Sequence, residues 1–182
     1  MKTPKLISRK TVFRGKFFDV FSDKVKFTNG KIAYWDAIDW THDSVSIVAL
    51  DDRNNVYFSR EWRSAWKKKI MIIPAGGVKK NSNEKDNIKQ ARNELREEIG
   101  FDAKKFVKLA TVLNSAKMRN IIHIYLATGL FKSPKEADSY ELIEVVKMPL
   151  KKAYEMFLTG KEKTTGYTML ALILAKEKLK VK

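Results

Sequence analysis

The stretch Asn93-Glu94-Leu95-Arg96-Glu97-Glu98-Ile99-Gly100-Phe101 decides the interpretation of this chain, because it combines an apolar stripe with a cluster of carboxylates. Apolar residues recur there at spacings of three and four: Ile88, Ala91, Leu95 and Ile99. This period predicts an amphipathic helix that begins at Asn83 or Glu84. Gly100 is expected to end it, because glycine readily adopts the left-handed conformation that follows many helices.

The carboxylates of the predicted helix form its second feature. At about 100° per residue, Glu94, Glu97 and Glu98 share one narrow face, away from the apolar stripe. Like charges at this spacing repel, and a hard divalent cation such as Mg²⁺ or Mn²⁺ would remove the repulsion. For the helix taken alone, a solvated acidic face paired with lysines remains the alternative.

The rest of the chain alternates between strand and helix patterns. Residues 11–40 predict three short antiparallel strands, with a hairpin turn at Asn29-Gly30. Further strands are predicted at 44–50, 56–63, 70–73, 106–113, 121–128 and 142–147, and helices at 150–159 and 166–178. Gly76 and Gly77 are expected to open a loop after the strand that stops at Pro74. The pattern is that of an α/β (α+β) protein, with a small antiparallel β unit at its N-terminus.

Composition restricts the function classes. The chain has 182 residues, with 37 basic and 21 acidic side chains, a formal net charge of +16 and no cysteine. A disulfide framework, a cysteine-ligated metal centre and thiol catalysis are therefore excluded. The excess charge suits phosphorylated small molecules, RNA or general solubility. No apolar run resembles a signal peptide or a membrane span, so we expect a soluble, cytoplasmic protein without membrane partners.

The stretch from Asn93 to Phe101 resembles the second half of the signature of the Nudix hydrolases, Arg-Glu-aliphatic-any-Glu-Glu-any-Gly-aliphatic. It departs from this signature at its first position. The segments Glu61-Trp62-Arg63 and Ile72-Ile73-Pro74-Ala75-Gly76 are similar to those of the branch that includes ADP-ribose and nucleoside-diphosphate-sugar pyrophosphatases. Residues 15–20 look like the start of that branch's dimerisation region, and the resemblance covers about residues 11–175.

The resemblance implies a fold and an activity. The fold would be a Nudix α/β/α sandwich with a mixed β-sheet, in which residues 1–41 form the antiparallel unit used for homodimerisation and residues 42–182 form the hydrolase domain. The activity would be cleavage of the pyrophosphate bond of ADP-ribose or a nucleoside diphosphate sugar, giving a nucleoside monophosphate and a sugar phosphate. Mg²⁺ or Mn²⁺ would be the cofactor.

The resemblance also implies roles for individual residues. Catalytic roles fall to Glu94, Glu97, Glu98 and Glu141, the last of these as a base or further metal ligand from an acidic loop. The metal would be held by Glu94, Glu98 and the carbonyl of Ala75. Substrate would be bound by Arg60, Arg63 and Trp35, with Tyr34 and Trp66 as other candidates for stacking on the nucleobase.

Four departures from the family pattern keep a second hypothesis open. Asn93 stands where the signature has an arginine that braces the adjacent glutamate, and Ile72 and Asn120 stand where the branch has acids. About three extra residues lie between Gly76 and Asn93, so that only Glu84 could serve as the signature's first glutamate. Together with the basic charge, these losses favour the alternative of a catalytically weakened Nudix scaffold that binds nucleotides or RNA.

Overall fold

Ten strands form one mixed sheet in the computed structural model, which describes residues 3–136 and 142–180. They are β1 (Lys5–Arg14), β2 (Phe18–Lys26), β3 (Ile32–Trp40), β4 (His42–Leu50), β5 (Asn55–Arg63), β6 (Lys68–Ile72), β7 (Ala75–Lys79), β8 (Phe101–Ser115), β9 (Met118–Lys132) and β10 (Glu144–Pro149). The helices are α1 (Glu84–Glu94), α2 (Leu150–Leu158) and α3 (Gly166–Leu179). A π-helical turn, Leu95–Ile99, continues α1, and a 3₁₀ turn, Ser64–Trp66, joins β5 to β6.

The strands follow the order β1-β2-β3-β9-β4-β5-β10, with β6 beside β5, β7 beside β4 and β8 beside β9. The β3–β9 and β4–β9 pairs are parallel, whereas the other pairs are antiparallel. The mixed sheet expected from the sequence is therefore confirmed. Because β3 pairs with β9, the N-terminal antiparallel unit continues the same sheet.

Alternating side chains of β4 build the two cores. Val45, Ile47 and Ala49 point to the layer of α1, whereas Val48 and Leu50 point to the layer of α2 and α3. All five are buried, and burying a side chain of valine or leucine size contributes about 1.5–3 kcal/mol. The helices thus cover both faces of the sheet, which confirms the α/β/α sandwich. No helix within the described ranges has the length and apolar character needed to cross a membrane.

The predicted helix and hairpin are both present. The side-chain oxygen of Asn83 accepts a hydrogen bond from the Asp86 N–H at 3.0 Å, and α1 begins at the next residue, Glu84. The π-helical turn ends at Gly100, whose φ of 76° is left-handed. In the hairpin, Gly30 has a φ of 82° and donates its N–H to the Phe27 carbonyl at 3.0 Å.

The loop predicted at Gly76 and Gly77 is wrong, since these residues lie in β7 and pair with β4. Strand pairing uses backbone groups, so it needs no particular side chains. The two glycines serve the close packing of other groups instead. A Cβ on Gly77 would lie 2.8 Å from the His42 ring, and one on Gly76 would collide with the carboxylate of Glu94.

Candidate active site

Two carboxylates from the end of α1 meet the beginning of β7. Glu94 is the last residue of α1, and Glu98 lies four residues later in the π-helical turn. Leu95, between them, is fully buried in the core and anchors this part of the chain. The Ala75 N–H donates a hydrogen bond to Oε1 of Glu98 at 3.1 Å. The strand–loop–helix arrangement thus holds both carboxylates against the Ala75-Gly76 backbone.

Gly76 sets the position of Glu94. The Glu94 carboxylate occupies the space that a Cβ on Gly76 would need. The Gln90 amide also donates a hydrogen bond to Oε1 of Glu94 at 2.6 Å. Gln90 therefore braces the glutamate that the signature's arginine braces in the family, a role that the sequence analysis did not assign to it. The four-residue spacing between Gln90 and Glu94 on the predicted helix could have indicated this contact.

Substituting Gly76 by alanine should displace the Glu94 carboxylate. A misplacement of about 1 Å at a catalytic group can cost about a hundred-fold in rate, so we expect kcat to fall by about ten- to a hundred-fold. Alanine at Gly166 is the matched control, because this glycine meets no neighbouring atom within 4 Å and its φ is not left-handed. Steady-state hydrolysis assays and thermal unfolding of both variants check the result. An unchanged kcat in the Gly76→Ala variant would contradict the position assigned to Glu94.

Glu98 lies in an unusually dry environment for a carboxyl group. The residue is only 6% exposed. Its pKa is raised to about 8: burial is the main cause, the charges of Glu94 and Glu61 act in the same direction, and the nearby Ser59 hydroxyl and the Ala75 N–H act against them. Within the described chain, Oε2 of Glu98 and the nearby Oγ of Ser59 are buried without a hydrogen-bond partner. The place where Glu98 meets Ser59 and Ala75, called the carboxylate corner below, therefore has unsatisfied oxygens next to the negative charges of Glu94 and Glu61.

One face of β5 continues this corner. Ser59, Glu61 and Arg63 alternate along the strand, and the guanidinium of Arg63 donates to Oε1 of Glu61 at 2.6 Å. The structure thus places the predicted substrate residue Arg63 on the face of β5 that carries Ser59 and Glu61. Glu61 was not predicted as a site residue, although its period of two with Arg63 could have indicated it. Ile72 lies opposite Ser59 on the paired strand and is buried, which adds an apolar wall where the family has an acid.

Arg60 and Trp35 do not lie on the face of β5 that carries Ser59, Glu61 and Arg63. Arg60 points to the other face of β5, where its guanidinium contacts Glu144 at 3.4 Å and the Met71 sulfur at 3.9 Å. Arg60 therefore lies on the opposite face of β5 from Ser59, Glu61 and Arg63, because neighbouring residues of a strand face opposite sides, and its substrate-binding role stays a prediction. Trp35 lies on β3, is 56% exposed and makes an edge-to-face contact with Phe27, with the two ring centroids 5.7 Å apart. Its proposed stacking role stays a prediction.

Glu97 has a cationic partner in the structure. Glu97 forms an ion pair with Lys135, on the segment that follows β9. The prediction of one shared carboxylate face assumed regular α-helical geometry, whereas these residues form a wider π-helical turn. Glu84, the candidate for the signature's first glutamate, lies at the other end of α1, about 15 Å from Glu94 by helical rise. Its carboxylate pairs with Lys108 at 2.7 Å.

Asn120 and Glu141 complete the predicted set. The Asn120 side chain is buried and donates to the His42 carbonyl at 2.8 Å, so it ties β9 to β4. Glu141 lies outside the described residues. Across residues 3–136 and 142–180, no three carboxylate, imidazole or thiol groups are arranged to hold a metal ion.

The remaining donor set still fits a hard cation. The oxygens of Glu94 and Glu98 and the carbonyl of Ala75 are of the type that Mg²⁺ and Mn²⁺ prefer. Oε2 of Glu98 lacks a hydrogen-bond partner in the described chain, and a bound cation would satisfy it. It would also remove the repulsion between the two carboxylates. The residues present therefore fit a divalent metal.

The α/β/α sandwich with its carboxylates at the end of α1 has the architecture of a hydrolase of the Nudix type. A solved structure described as an ADP compounds hydrolase has the same fold, with a TM-score of 0.87, 23% sequence identity and coverage of 99% of this chain and 96% of that chain. No family model matches the chain.

Three proteins with names have sequences similar to this chain. An ADP-ribose pyrophosphatase of Bacillus subtilis (strain 168) is 28% identical over 155 residues, 84% of this chain and 82% of the relative. A methanol dehydrogenase activator of Bacillus methanolicus is 27% identical over 155 residues, 83% of this chain and 81% of the relative. An ADP-ribose pyrophosphatase of Mycobacterium tuberculosis (strain ATCC 25618 / H37Rv) is 30% identical over 125 residues, 68% of this chain and 59% of the relative. These findings confirm the predicted relationship to the Nudix ADP-ribose pyrophosphatases and support the predicted enzyme class, a pyrophosphohydrolase.

Proposed function

We propose that the protein hydrolyses the pyrophosphate bond of a nucleoside diphosphate linked to a sugar, with ADP-ribose as the first substrate to test. The products would be a nucleoside monophosphate and a sugar phosphate. The observation that supports the proposal is the buried Glu98 carboxyl, whose Oε2 has no hydrogen-bond partner within residues 3–136 and 142–180 and which is close enough to Glu94 to feel its negative charge. The names of two relatives, both ADP-ribose pyrophosphatases, support the choice of substrate.

Glu94, Glu98 and the Ala75 carbonyl would hold Mg²⁺ or Mn²⁺. A bound divalent cation would neutralise the diphosphate and lower the pKa of the attacking water. Glu97 would have to leave Lys135 to take part directly, so we assign it a positioning role through the ion pair with that lysine. Glu141 remains our candidate for the base or a further ligand.

Other residues of the corner bind substrate and exclude water. The Arg63 guanidinium is fixed by Glu61 and remains 45% exposed, so it can bind a phosphate or the terminal sugar. Ile72, opposite Ser59, keeps bulk water from the Glu98 carboxyl. Because the pKa of Glu98 is raised to about 8, this carboxyl holds a proton at neutral pH until a cation displaces it.

A panel of nucleoside diphosphate conjugates tests the proposal. With Mg²⁺ or Mn²⁺, we expect wild-type protein to convert ADP-ribose into AMP and ribose 5-phosphate, and EDTA to abolish this conversion. Chromatographic separation of the products identifies the bond that is cleaved. The absence of turnover with every conjugate and either metal would contradict the proposal.

The second candidate is a scaffold with weakened catalysis that binds nucleotides or RNA. It is favoured by the lack of a three-ligand metal cluster among residues 3–136 and 142–180, and by the net charge of +16. It predicts single-stranded RNA affinity that falls steeply with salt, because released counterions drive such binding. Rapid turnover of any nucleoside diphosphate sugar would exclude it.

We also propose that the chain forms a homodimer through the unit of residues 1–41. This unit exposes several large apolar side chains, which more often mark interaction surfaces than free ones: Leu6, Ile7, Val12, Phe13 and Phe17. Light scattering should give twice the chain mass of 21.0 kDa. A monomeric mass at micromolar concentration would contradict this. The cytoplasmic location stays a prediction.

A further inference from the structure

The beginning of α3 is hydrogen-bonded to the backbone that leads into the carboxylate corner. The Thr164 hydroxyl, just before the helix, donates to the Met71 carbonyl near the end of β6 at 2.7 Å. The Thr168 hydroxyl oxygen, in the first turn of the helix, accepts a hydrogen bond from the Ile73 N–H at 3.4 Å. Thr168 and Ile73 are both fully buried. Two threonines thus join α3 to the segment that runs from β6 to β7.

The connection between β6 and β7 consists of Ile73 and Pro74. Proline has no N–H, so Ile73 supplies the backbone donor of this connection. The Pro74 carbonyl accepts a hydrogen bond from the Ile47 N–H of β4 at 2.8 Å, which fixes the connection to the sheet on one side. On the other side, the acceptor for the Ile73 N–H is Thr168. The position of the connection therefore depends on a side chain of α3.

Ala75 follows this connection and supplies the N–H that holds Glu98, at 3.1 Å from its Oε1. The pyrrolidine ring of Pro74 fixes φ between the two residues, so a shift of Ile73 is passed on to the Ala75 backbone. α3 lies on the face of the sheet opposite to α1, which carries Glu94 at its end. A hydroxyl on one face of the sheet thus reaches a carboxylate held on the other face through three consecutive backbone units.

The Thr168 hydroxyl is itself held in place. The Thr165 hydroxyl, which caps α3, donates to Oγ1 of Thr168 at 3.0 Å. Valine has the same branched shape as threonine, so filling the space at this position would not require a hydroxyl. A buried backbone N–H, in contrast, is destabilising when it lacks an acceptor. The polar side chain at residue 168 is therefore accounted for by its bond to Ile73.

We propose that Thr168 is a positioning residue of the carboxylate corner. Through the backbone of Ile73 and Ala75, it fixes the N–H group against which the Glu98 carboxyl is held. Its effect on hydrolysis rests on the proposed function, whereas its effect on the backbone does not.

Amide hydrogen exchange of the metal-free protein, followed by NMR, tests this assignment. In Thr168→Val, we expect the N–H groups of Ile73 and Ala75 to exchange about tenfold faster or more, because a buried donor has lost its acceptor. The amides of β2 and β3, in the N-terminal unit, should keep their wild-type rates. Thr159→Val is the matched control, since the Thr159 hydroxyl also bonds to backbone, donating to the Glu155 carbonyl at 2.7 Å at the end of α2. Wild-type exchange of Ala75 in Thr168→Val, or equal acceleration by the two substitutions, would overturn the inference.

Two further variants separate the hydroxyl from the methyl group and from folding as such. Thr168→Ser keeps the hydroxyl, so exchange at Ile73 and Ala75 should stay close to wild type even if the free energy of unfolding falls. Acceleration by serine as large as that by valine would overturn the inference. Thr164→Val removes the donor to the Met71 carbonyl and should accelerate the same two amides by a smaller factor. If Thr168→Val does not fold, wild-type exchange in Thr164→Val would overturn the inference in its place.

Kinetics separate this inference from the proposed function. Thr168→Val should lower kcat for ADP-ribose about ten- to a hundred-fold and leave KM within about threefold, because a small misplacement acts on the reacting geometry more than on binding. Leu172→Ala, which leaves a cavity in the core beside the same helix, should lower stability but keep kcat near wild type. If wild-type protein hydrolyses ADP-ribose and Thr168→Val keeps its kcat, the inference fails while the proposed function stands. If exchange at Ala75 responds to Thr168 but no conjugate is hydrolysed, the proposed function fails while the positioning of the backbone stands.

Discussion

Replacing Glu98 by glutamine is expected to lower kcat for ADP-ribose hydrolysis by about a thousand-fold, the scale on which catalytic carboxylates contribute. Glutamine keeps the shape of the side chain and can still accept a hydrogen bond from the Ala75 N–H. It cannot supply the charge that binds the cation. AMP formation at saturating Mg²⁺ measures the effect, and the KM should change much less than kcat.

Glu84→Gln is the matched control for this substitution. It removes a carboxylate from the same helix, but at the opposite end, where Glu84 pairs with Lys108. Its kcat should stay within about twofold of the wild type, because Glu84 lies about 15 Å from Glu94 by helical rise. A wild-type rate in the Glu98→Gln protein would remove Glu98 from the mechanism.

The metal-free protein is expected to lose stability as the pH rises from about 5 to about 8. Glu98 has a folded-state pKa of about 8 against an ordinary value of 4.5, so over this interval the native state binds a proton that the unfolded state has released. The stabilising effect of the proton is complete below the unfolded-state pKa and is lost as the pH passes the folded-state pKa. The loss amounts to a few kcal/mol, since one pKa unit corresponds to about 1.4 kcal/mol.

Urea unfolding in EDTA at several pH values measures this loss. The Glu98→Gln protein should show a flatter dependence, because glutamine does not titrate. Addition of Mn²⁺ should restore stability to the wild type at pH 8 and have little effect on the variant. If the two metal-free proteins lose stability in parallel over this interval, the burial assigned to Glu98 is not what controls its protonation.

Much of the fold followed from local patterns in the chain. The apolar period from Ile88 to Ile99 predicted α1, and Asn29-Gly30 predicted the β2–β3 hairpin, since both signals are set by residues close in sequence. β7 could not be predicted in this way. Its identity depends on pairing with β4, and its glycines are required by the distant groups Glu94 and His42.

The candidate site was predictable only in part. Glu94 and Glu98 share a side of a helix at a spacing of four residues, which the sequence shows directly. The position of Glu97 depended on the π-helical turn, which residue spacing does not reveal. Arg60 and Arg63, three residues apart in a strand, must face opposite sides of the sheet, which the strand period alone predicts.

Calorimetric titration with Mn²⁺ in buffers of different ionisation enthalpy tests the central claim most directly. At pH 7, the account predicts that wild-type protein binds Mn²⁺ and releases close to one proton per ion, because Glu98 must lose its proton to become a ligand. The Glu98→Gln protein should bind Mn²⁺ at least tenfold more weakly, without this proton release. No Mn²⁺ binding by the wild type at millimolar concentration, or equal affinity in the two proteins, would contradict the assignment of Glu94 and Glu98 as the metal site.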